Sequence, residues 1–401
     1  MPRFSIVTPV YDPPPAVLRS MLQSVRDQSF GDWEHCIVDD CSTAGHVRRI
    51  LDKAARDDPR VRVSYRSDNG GIVAASNDAL GMASGEFVAL LDHDDELTPD
   101  ALALVDEAIA AHPDADYIYS DEDKIDENGR REQTFLKPDW SPERLRTQMY
   151  TCHLSVLRRT LVDEAGGFRA EFNGSQDWDL VLRVTERARD VVHVPKVLYH
   201  WRTLTTSAAG GGEAAKPWAF EAGTRAIQAH CDRTGFEAVV EHDTAHPGIY
   251  HLHPRLRDAP LVSIVIPTGG QVRDVRGEPT VLIRHCLESI TTSSTYDNYE
   301  IVVVVDDRLD RSTLDSVRSI AGDRLTLVTC DPPFNFSYRI NCGVLRASGE
   351  HVLLLNDDME VVTVDWLERL LMYSRAPGVG AVGAKLLFGD GTLQHAGVVF
   401  D

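Results

Sequence analysis

The chain has 401 residues, 43% of them hydrophobic and 26% charged, a globular composition with more length than one hydrophobic core ordinarily serves. A formal net charge of -21 argues against nucleic acid as the main partner and against broad contact with anionic lipid, because both need concentrated Lys and Arg. Seven cysteines without CxxC spacing, a start lacking a basic and then apolar leader, and no apolar run near the roughly 18 residues of a membrane span exclude a zinc site and a spanning helix and point to the cytosol.

In chain order, FSIVTPV (4–10) reads as a strand closed by YDPPP, and the next segment sets Leu18, Met21, Leu22 and Val25 at helical spacing. WEHCIVDD (33–40) gives a second strand ending in acid, VRVSY (61–65) a third, and GEFVALLDHDD a fourth, with residues 72–83 helical between the last two. A helix over 99–111 begins with Pro99 in its first turn and Asp100 near its positive end, with Leu102, Val105 and Ile109 facing inward. DVVHVPKVLYHW is a late strand. This alternation predicts an α/β, Rossmann-like fold, a mostly parallel sheet with helices on both faces. Ligands of such sheets sit at the carboxyl ends of the strands, where Asp39-Asp40 and the acids of 92–96 fall.

The chain also repeats itself. SIVTP (5–9) returns as SIVIP (263–267), IVDD (37–40) as VVDD (304–307), and ASGEFVALLDHDDEL (83–97) as ASGEHVLLLNDDMEV (347–361). Three ordered matches predict a tandem duplication: a first domain over 1–240, a linker over 241–260 and a second copy over 261–401. TTSAAGGGEAAKP (205–217) reads as a loop. The second copy is the shorter, so either it is truncated or the chain is a fragment of a longer protein.

LLDHDDEL (90–97) crowds Asp92, Asp94, Asp95 and Glu96 behind an apolar strand. Carboxylates at a strand end are hard oxygen ligands for Mg²⁺ or Mn²⁺, which keep positions open for phosphate oxygens. A cation bridging a diphosphate would reconcile the acidic cluster with an anionic ligand; the alternative is a solvated acidic turn before the next helix.

SIVTPVYDPP, VDDCS, NGGIVAASNDAL, ASGEFVALLDHDDEL, GGF, SQDWDLVLR and VLYHWR, in this order over residues 4 to about 202, resemble the family 2 inverting glycosyltransferases of the A-type fold. FLKPDWSPE, CHLSVLRR and KPWAFEAG, with FNFSYRINCGVLRASGEHVLLLNDDMEV and VGAKLLFGDGTLQHAGVVF of the second copy, resemble the tandem-domain members that build bacterial surface polysaccharide such as O-antigen.

The resemblance implies roles position by position. Asp92-x-Asp94 matches the family's DxD, with Asp94 on the metal and Asp92 on the ribose or acting through water. Asp95 is left between a supporting role and solvation. Asp39 and Asp40 match the acidic pair that reads the nucleotide base, and Pro9 and Tyr11 would line that base; a turn capped by Ser42 is the structural alternative. Asn69 joins the nucleotide-sugar set, although Gly70-Gly71 forms no GxGxxG and serves a tight turn. Asp177 matches the general base, with Gln176 where Glu is commoner, and it also suits the start of the helix WDLVLRVTER. His200 is carried over as a metal ligand, with a satisfied structural histidine as the alternative, and Arg202 divides between a contact for the diphosphate and an ordinary surface arginine. Trp178 and Trp201 divide between sugar stacking and core, Asn77 between site and packing, and Asp179 reads as a first-turn acid. His153 has no acid partner that spacing can identify.

In the second copy Asn356 stands where Asp92 stands in the first, Asp358 matches Asp94, and no residue matches Asp177. The expectation is a Mg- or Mn-dependent inverting hexosyl- or deoxyhexosyltransferase. It would move a sugar from a UDP- or dTDP-sugar to a glycan or lipid-linked glycan, in the cytoplasm with room for peripheral association at the inner membrane face. A nucleotidyltransferase and a non-catalytic glycan-binding scaffold are the rivals; the first would need a basic triphosphate signature that VYDPPP does not offer.

Overall fold

The structure is a computed structural model that describes residues 1–126, 129–203, 217–330 and 335–397. The chain divides into two compact units, one of residues 1–235 and 239–252, the other of 236–238 and 253–401.

In the first unit, β1 (Phe4–Val10), α1 (Pro15–Arg26), β2 (Trp33–Asp39), α2 (Gly45–Asp57), β3 (Val61–Tyr65), α3 (Gly71–Met82) and β4 (Phe87–Leu90) alternate as the sequence pattern requires. The acidic segment follows, leading through β5 (Glu96–Leu97) into α4 (Ala101–Ala111), whose Leu102, Val105 and Ile109 are buried. Helix α4 starts one residue after Asp100, so Pro99 lies before its first turn rather than in it. Next come β6 (Ala115–Ile125), β7 (Arg131–Phe135), α5 (Pro142–Leu145), β8 (Ser155–Arg158), α6 (Arg159–Ala165), α7 (Gln176–Thr185), β9 (Asp190–Arg202) and α8 (Pro217–Thr234). All but the last residue of the loop read over 205–217 lie outside the described residues.

The sheet order is β3-β2-β1-β4-β8-β6-β9-β5, with β7 beside β6. It is parallel from β3 to β4 and mixed beyond, because β8 runs antiparallel to both β4 and β6 while β6 and β9 are parallel. Strands β1 and β2 are buried along nearly their whole length, as strands covered on both faces must be. The core gathers Phe4, Ile6, Leu18, Met21, Ile37, Leu51, Phe87, Leu102 and Val156.

Within the stretch read as a linker, β11 (Tyr250–Pro254) pairs with β10 (Ala238–His242). The second unit then repeats the parallel half: β12 (Val262–Pro267), a hairpin of β13 (Val272–Val275) and β14 (Glu278–Val281), α9 (Leu282–Ser293), β15 (Tyr299–Val305), α10 (Arg311–Ala321), β16 (Leu325–Thr329), α11 (Phe336–Val344) and β17 (His351–Leu354). Its sheet order, β16-β15-β12-β17, copies β3-β2-β1-β4. Helix α12 (Trp366–Ser374) and the short hairpin of β18 (Leu386–Leu387) and β19 (Leu393–His395) close the described chain.

One hydrogen-bonded device occurs in both units. Ser5 donates to Glu34 at 2.7 Å, Ser84 donates to the same carboxylate through its backbone N–H and its hydroxyl, and Gly85 N–H donates to Ser5 Oγ at 2.8 Å. Ser263, Glu300, Ser348 and Gly349 repeat every one of these contacts. A Cβ on Gly85 would stand 2.8 Å from the backbone nitrogen of Ser5, which explains the glycine in both ASGE motifs.

Candidate active site

Strand β4 and the residue after it carry the chain to the acidic turn, and Leu91 N–H still pairs with Val7 O at 3.1 Å. Asp92 N–H donates to the Tyr199 hydroxyl, and His93 sets Nδ1 3.2 Å from Pro9 O. Asp95 is buried and held at both oxygens, one by the Tyr199 hydroxyl at 2.5 Å and the other by Arg202 N–H at 2.7 Å. It thus fastens the turn to β9. The Arg202 guanidinium finishes the clamp by donating to Asp94 O at 2.8 Å, to Asp126 O and to the Glu96 carboxylate. The Arg202 side chain, the expected contact for a diphosphate, is buried against this turn.

The turn leaves Asp94 half-buried, its carboxylate accepting no hydrogen bond among the described residues. His200, opposite Glu96 in the β5–β9 pairing, is buried; Asp123 of β6 holds its Nδ1, while Nε2 has no partner among the described residues. A carboxylate behind one ring nitrogen and an orphaned second nitrogen suit a metal ligand. Asp94 and His200 therefore fit a divalent cation as donor types. Among the described residues, the ligand-atom groups that come within 4.8 Å of one another are different ones, Asp92–Asp95–His153 and Glu122–Cys152–His153.

Asp177 is the second residue of α7, and one cleft is lined by Pro9, Ser76, Asp92, Cys152, His153, Gln176 and Asp177. Burial raises the Asp177 carboxyl above its ordinary value, partly opposed by the Trp178 N–H and by His153. Burial likewise raises Asp92, with His153 opposing and Asp94 adding to the rise. Asp179, two positions on, is fully buried between Arg169 and Arg183 and pins α7 rather than facing the cleft. Trp178 is core, donating to Leu145 O at 3.0 Å, whereas Trp201 is half-buried with its ring 5.4 Å from that of His153.

The two acids at the end of β2 divide their labour. Both Asp40 oxygens are taken, by Gly70 N–H at 2.9 Å and Gly71 N–H at 2.8 Å, with Arg66 paired at 2.9 Å. Asp40 thus shapes the glycine turn at the start of α3, where Gly71 has φ +80°. Among the described residues Asp39 receives only a long bond from Ser42 N–H, 3.3 Å, and keeps capacity for another donor. The Ser42 hydroxyl accepts from Asp12 N–H at 2.9 Å. Tyr11 and Asn69 are exposed at this corner, and Asn77 bridges α3 to both backbone groups of Phe168. In the second unit the match of Asp39, Asp306, is ion-paired to Arg308 at 2.8 Å and to Arg339 at 2.6 Å, so its corner carries a different charge balance.

Sequence reasoning missed His153. Its ring stacks on Tyr199, centroids 4.6 Å apart, and its backbone N–H donates to Glu122 at 3.1 Å. The fully buried Lys137 ammonium donates to the same Glu122 oxygen at 2.9 Å, to Thr151 O at 2.8 Å and to His153 O. Burial opposes a proton on His153, but contacts with Cys152 and Glu122 outweigh it and hold the imidazole well above its ordinary value. Glu122 in turn, despite burial, is brought down to about 2 by His153 and Lys137. Strands β6 and β8 and the segment after β7 assemble this cluster from residues far apart in sequence, with no spacing to announce it.

An α/β sheet that is parallel to β4 and mixed beyond, with an acidic turn after β4 and a helix-borne carboxylate on one cleft, is the architecture of the A-type glycosyltransferases. The chain belongs to glycosyl transferase family 2, whose pattern matches residues 5–166 and again 263–396. It is 45% identical to the protein y4gI of Sinorhizobium fredii over 99% of this chain and 43% of that one. It is 39% identical to the O-antigen biosynthesis protein RfbC of Myxococcus xanthus over 99% of this chain and 30% of that one. The chain spans less than half the length of either relative. Among solved structures, S. aureus TarS 1–349 in complex with UDP-GlcNAc matches 57% of this chain and 66% of its own at 23% identity, with a TM-score of 0.48. Among the described residues no helix is long and apolar enough to cross a membrane.

Proposed function

We propose that the first unit transfers a sugar, with inversion, from a nucleoside diphosphate donor to a glycan or lipid-linked glycan acceptor in the synthesis of bacterial surface polysaccharide. The observation that carries this reading is the single cleft lined by both Asp92 of the acidic turn and Asp177 of α7. Asp39 accepts from the pyrimidine N3–H, and Pro9 and Tyr11 flank the base. Asp177 takes the acceptor hydroxyl's proton while that oxygen attacks the anomeric carbon from the side opposite the leaving diphosphate. Its raised basicity and its place in the first turn of a helix are compatible, since one favours proton uptake and the other keeps the anion populated at neutral pH. Asp94 and His200 would hold a divalent cation, which when bound offsets charge on the diphosphate. The O-antigen role named for RfbC supports the pathway class. The second unit, with Asn356 for Asp92 and Asp306 ion-paired, reads as non-catalytic within this chain.

Calorimetric titration of the intact chain with UDP and dTDP, each with Mn²⁺ and with EDTA, on wild type and Asp94→Ala, tests the donor half. Binding should need both the cation and Asp94. No binding of wild type under any condition would reduce the acidic turn to a solvated loop and favour the scaffold alternative.

A further inference from the structure

His153 is held more firmly than a residue of a cleft wall requires. Its N–H is bound by Glu122 and its C=O by Lys137, the two partners of a buried ion pair, and its ring lies flat on Tyr199 at 12° between planes. Such support preorganises a side chain. The ring still has donor capacity: Nδ1 stands 3.6 Å from Glu122 Oε2, beyond hydrogen-bond distance, and among the described residues Nε2 meets only the weak partner Cys152 Sγ at 3.8 Å. It lines the same cleft as Asp92 and Asp177. On the reading above, those two acids mark the diphosphate side and the acceptor side, and in an in-line displacement the transferred sugar lies between them.

We infer that His153 reads the donor's sugar, its imidazole donating to a sugar oxygen, and so sets which sugar is accepted. The inference rests on the proposed donor site. Glu122, Lys137 and Tyr199 are positioning residues for it, since they hold its backbone N–H, its C=O and its ring. A residue that merely packed against Tyr199 would matter equally for nucleotide and nucleotide sugar; a sugar-reading residue matters for one of them.

The test uses the intact chain with Mn²⁺ and calorimetry against UDP and whichever of UDP-glucose, UDP-GlcNAc, UDP-galactose and dTDP-glucose wild type binds most tightly. His153→Gln and His153→Asn should weaken the nucleotide sugar about tenfold, the worth of one good hydrogen bond, and leave UDP within about twofold. Retained UDP binding doubles as proof that the variants are folded. Equal losses for UDP and the nucleotide sugar, or no loss for either, would overturn the inference and leave the donor site standing. Failure of wild type to bind any nucleotide would overturn the donor site and this inference with it.

Discussion

Lys137→Met removes the only ammonium that the described structure sets against Glu122, whose side chain is 7% exposed beside a lysine at 0%. Breaking a buried pair by deleting one partner leaves an uncompensated charge, at a cost of about 3–5 kcal/mol. In a unit of this size each kcal/mol lowers Tm by roughly 2–4 °C, so differential scanning calorimetry at pH 7 should show a fall of roughly 6–20 °C. The dependence on pH has a definite sign. Glu122 is depressed in the folded state to about 2 from an ordinary 4.5, so its contribution is full above 4.5 and lost as pH falls through the folded value. Without Lys137 the carboxyl takes up a proton more readily, and the gap between wild type and variant should narrow from pH 7 to pH 3. Lys137→Met/Glu122→Gln, which removes the stranded charge as well, should recover more than half of the loss. A fall below about 1 kcal/mol at pH 7, or a gap unchanged at pH 3, would refute the assignment of Lys137 as counter-ion to Glu122.

Asp177→Asn should lower the rate of transfer by about 10²–10⁴ while UDP affinity stays within a few fold, and in wild type the rate should rise with pH to a midpoint above the ordinary carboxylate value, as the raised base ionises. Asp39→Ala should weaken UDP binding with little change in thermal stability. Asp40→Ala should do the reverse, costing about 1.5–3 kcal/mol for the loss of the carboxylate that accepts from Gly70 and Gly71 N–H. Gly85→Ala drives a methyl against the Ser5 backbone and should cost about 1–3 kcal/mol, read by thermal melting; a neutral Gly85→Ala would show that the strand start is not as tightly seated as described.

The parallel half of each unit was legible because it is made of local periodicity: β1 and β3 begin and end where FSIVTPV and VRVSY do, and Leu18, Met21 and Val25 face inward. The duplication was legible as well, since strand ends and ASGE turns carry strong residue preferences. The roles of neighbouring acids were less so. Asp39 and Asp40 are equivalent in composition, and only the path of Gly70 and Gly71 past the strand end consumes one of them. Asp95 reads as supporting or solvated and Arg202 as a diphosphate contact or a surface group, because charge usually faces water; in the fold Arg202 N–H donates to Asp95 and its guanidinium to Glu96. His153 was invisible for another reason. Its partners Glu122 and Lys137 reach it through antiparallel pairing of β6 with β7 and β8, whose register depends on turns that no short motif encodes.

The serine-glutamate device at the start of β1 and β4 lies at the end of the sheet away from the cleft. From Ser5 to Pro9 along β1, a strand advances roughly 13 Å at about 3.3 Å per residue. Sites that far apart with no shared partner contribute nearly additively to stability. Assembly and chemistry are therefore separable tasks along the same strands. The second unit is what such separation permits, with the same stitching at one end and, at the other, an asparagine for Asp92 and arginines on Asp306. Variants made in one end can be scored without correcting for the other.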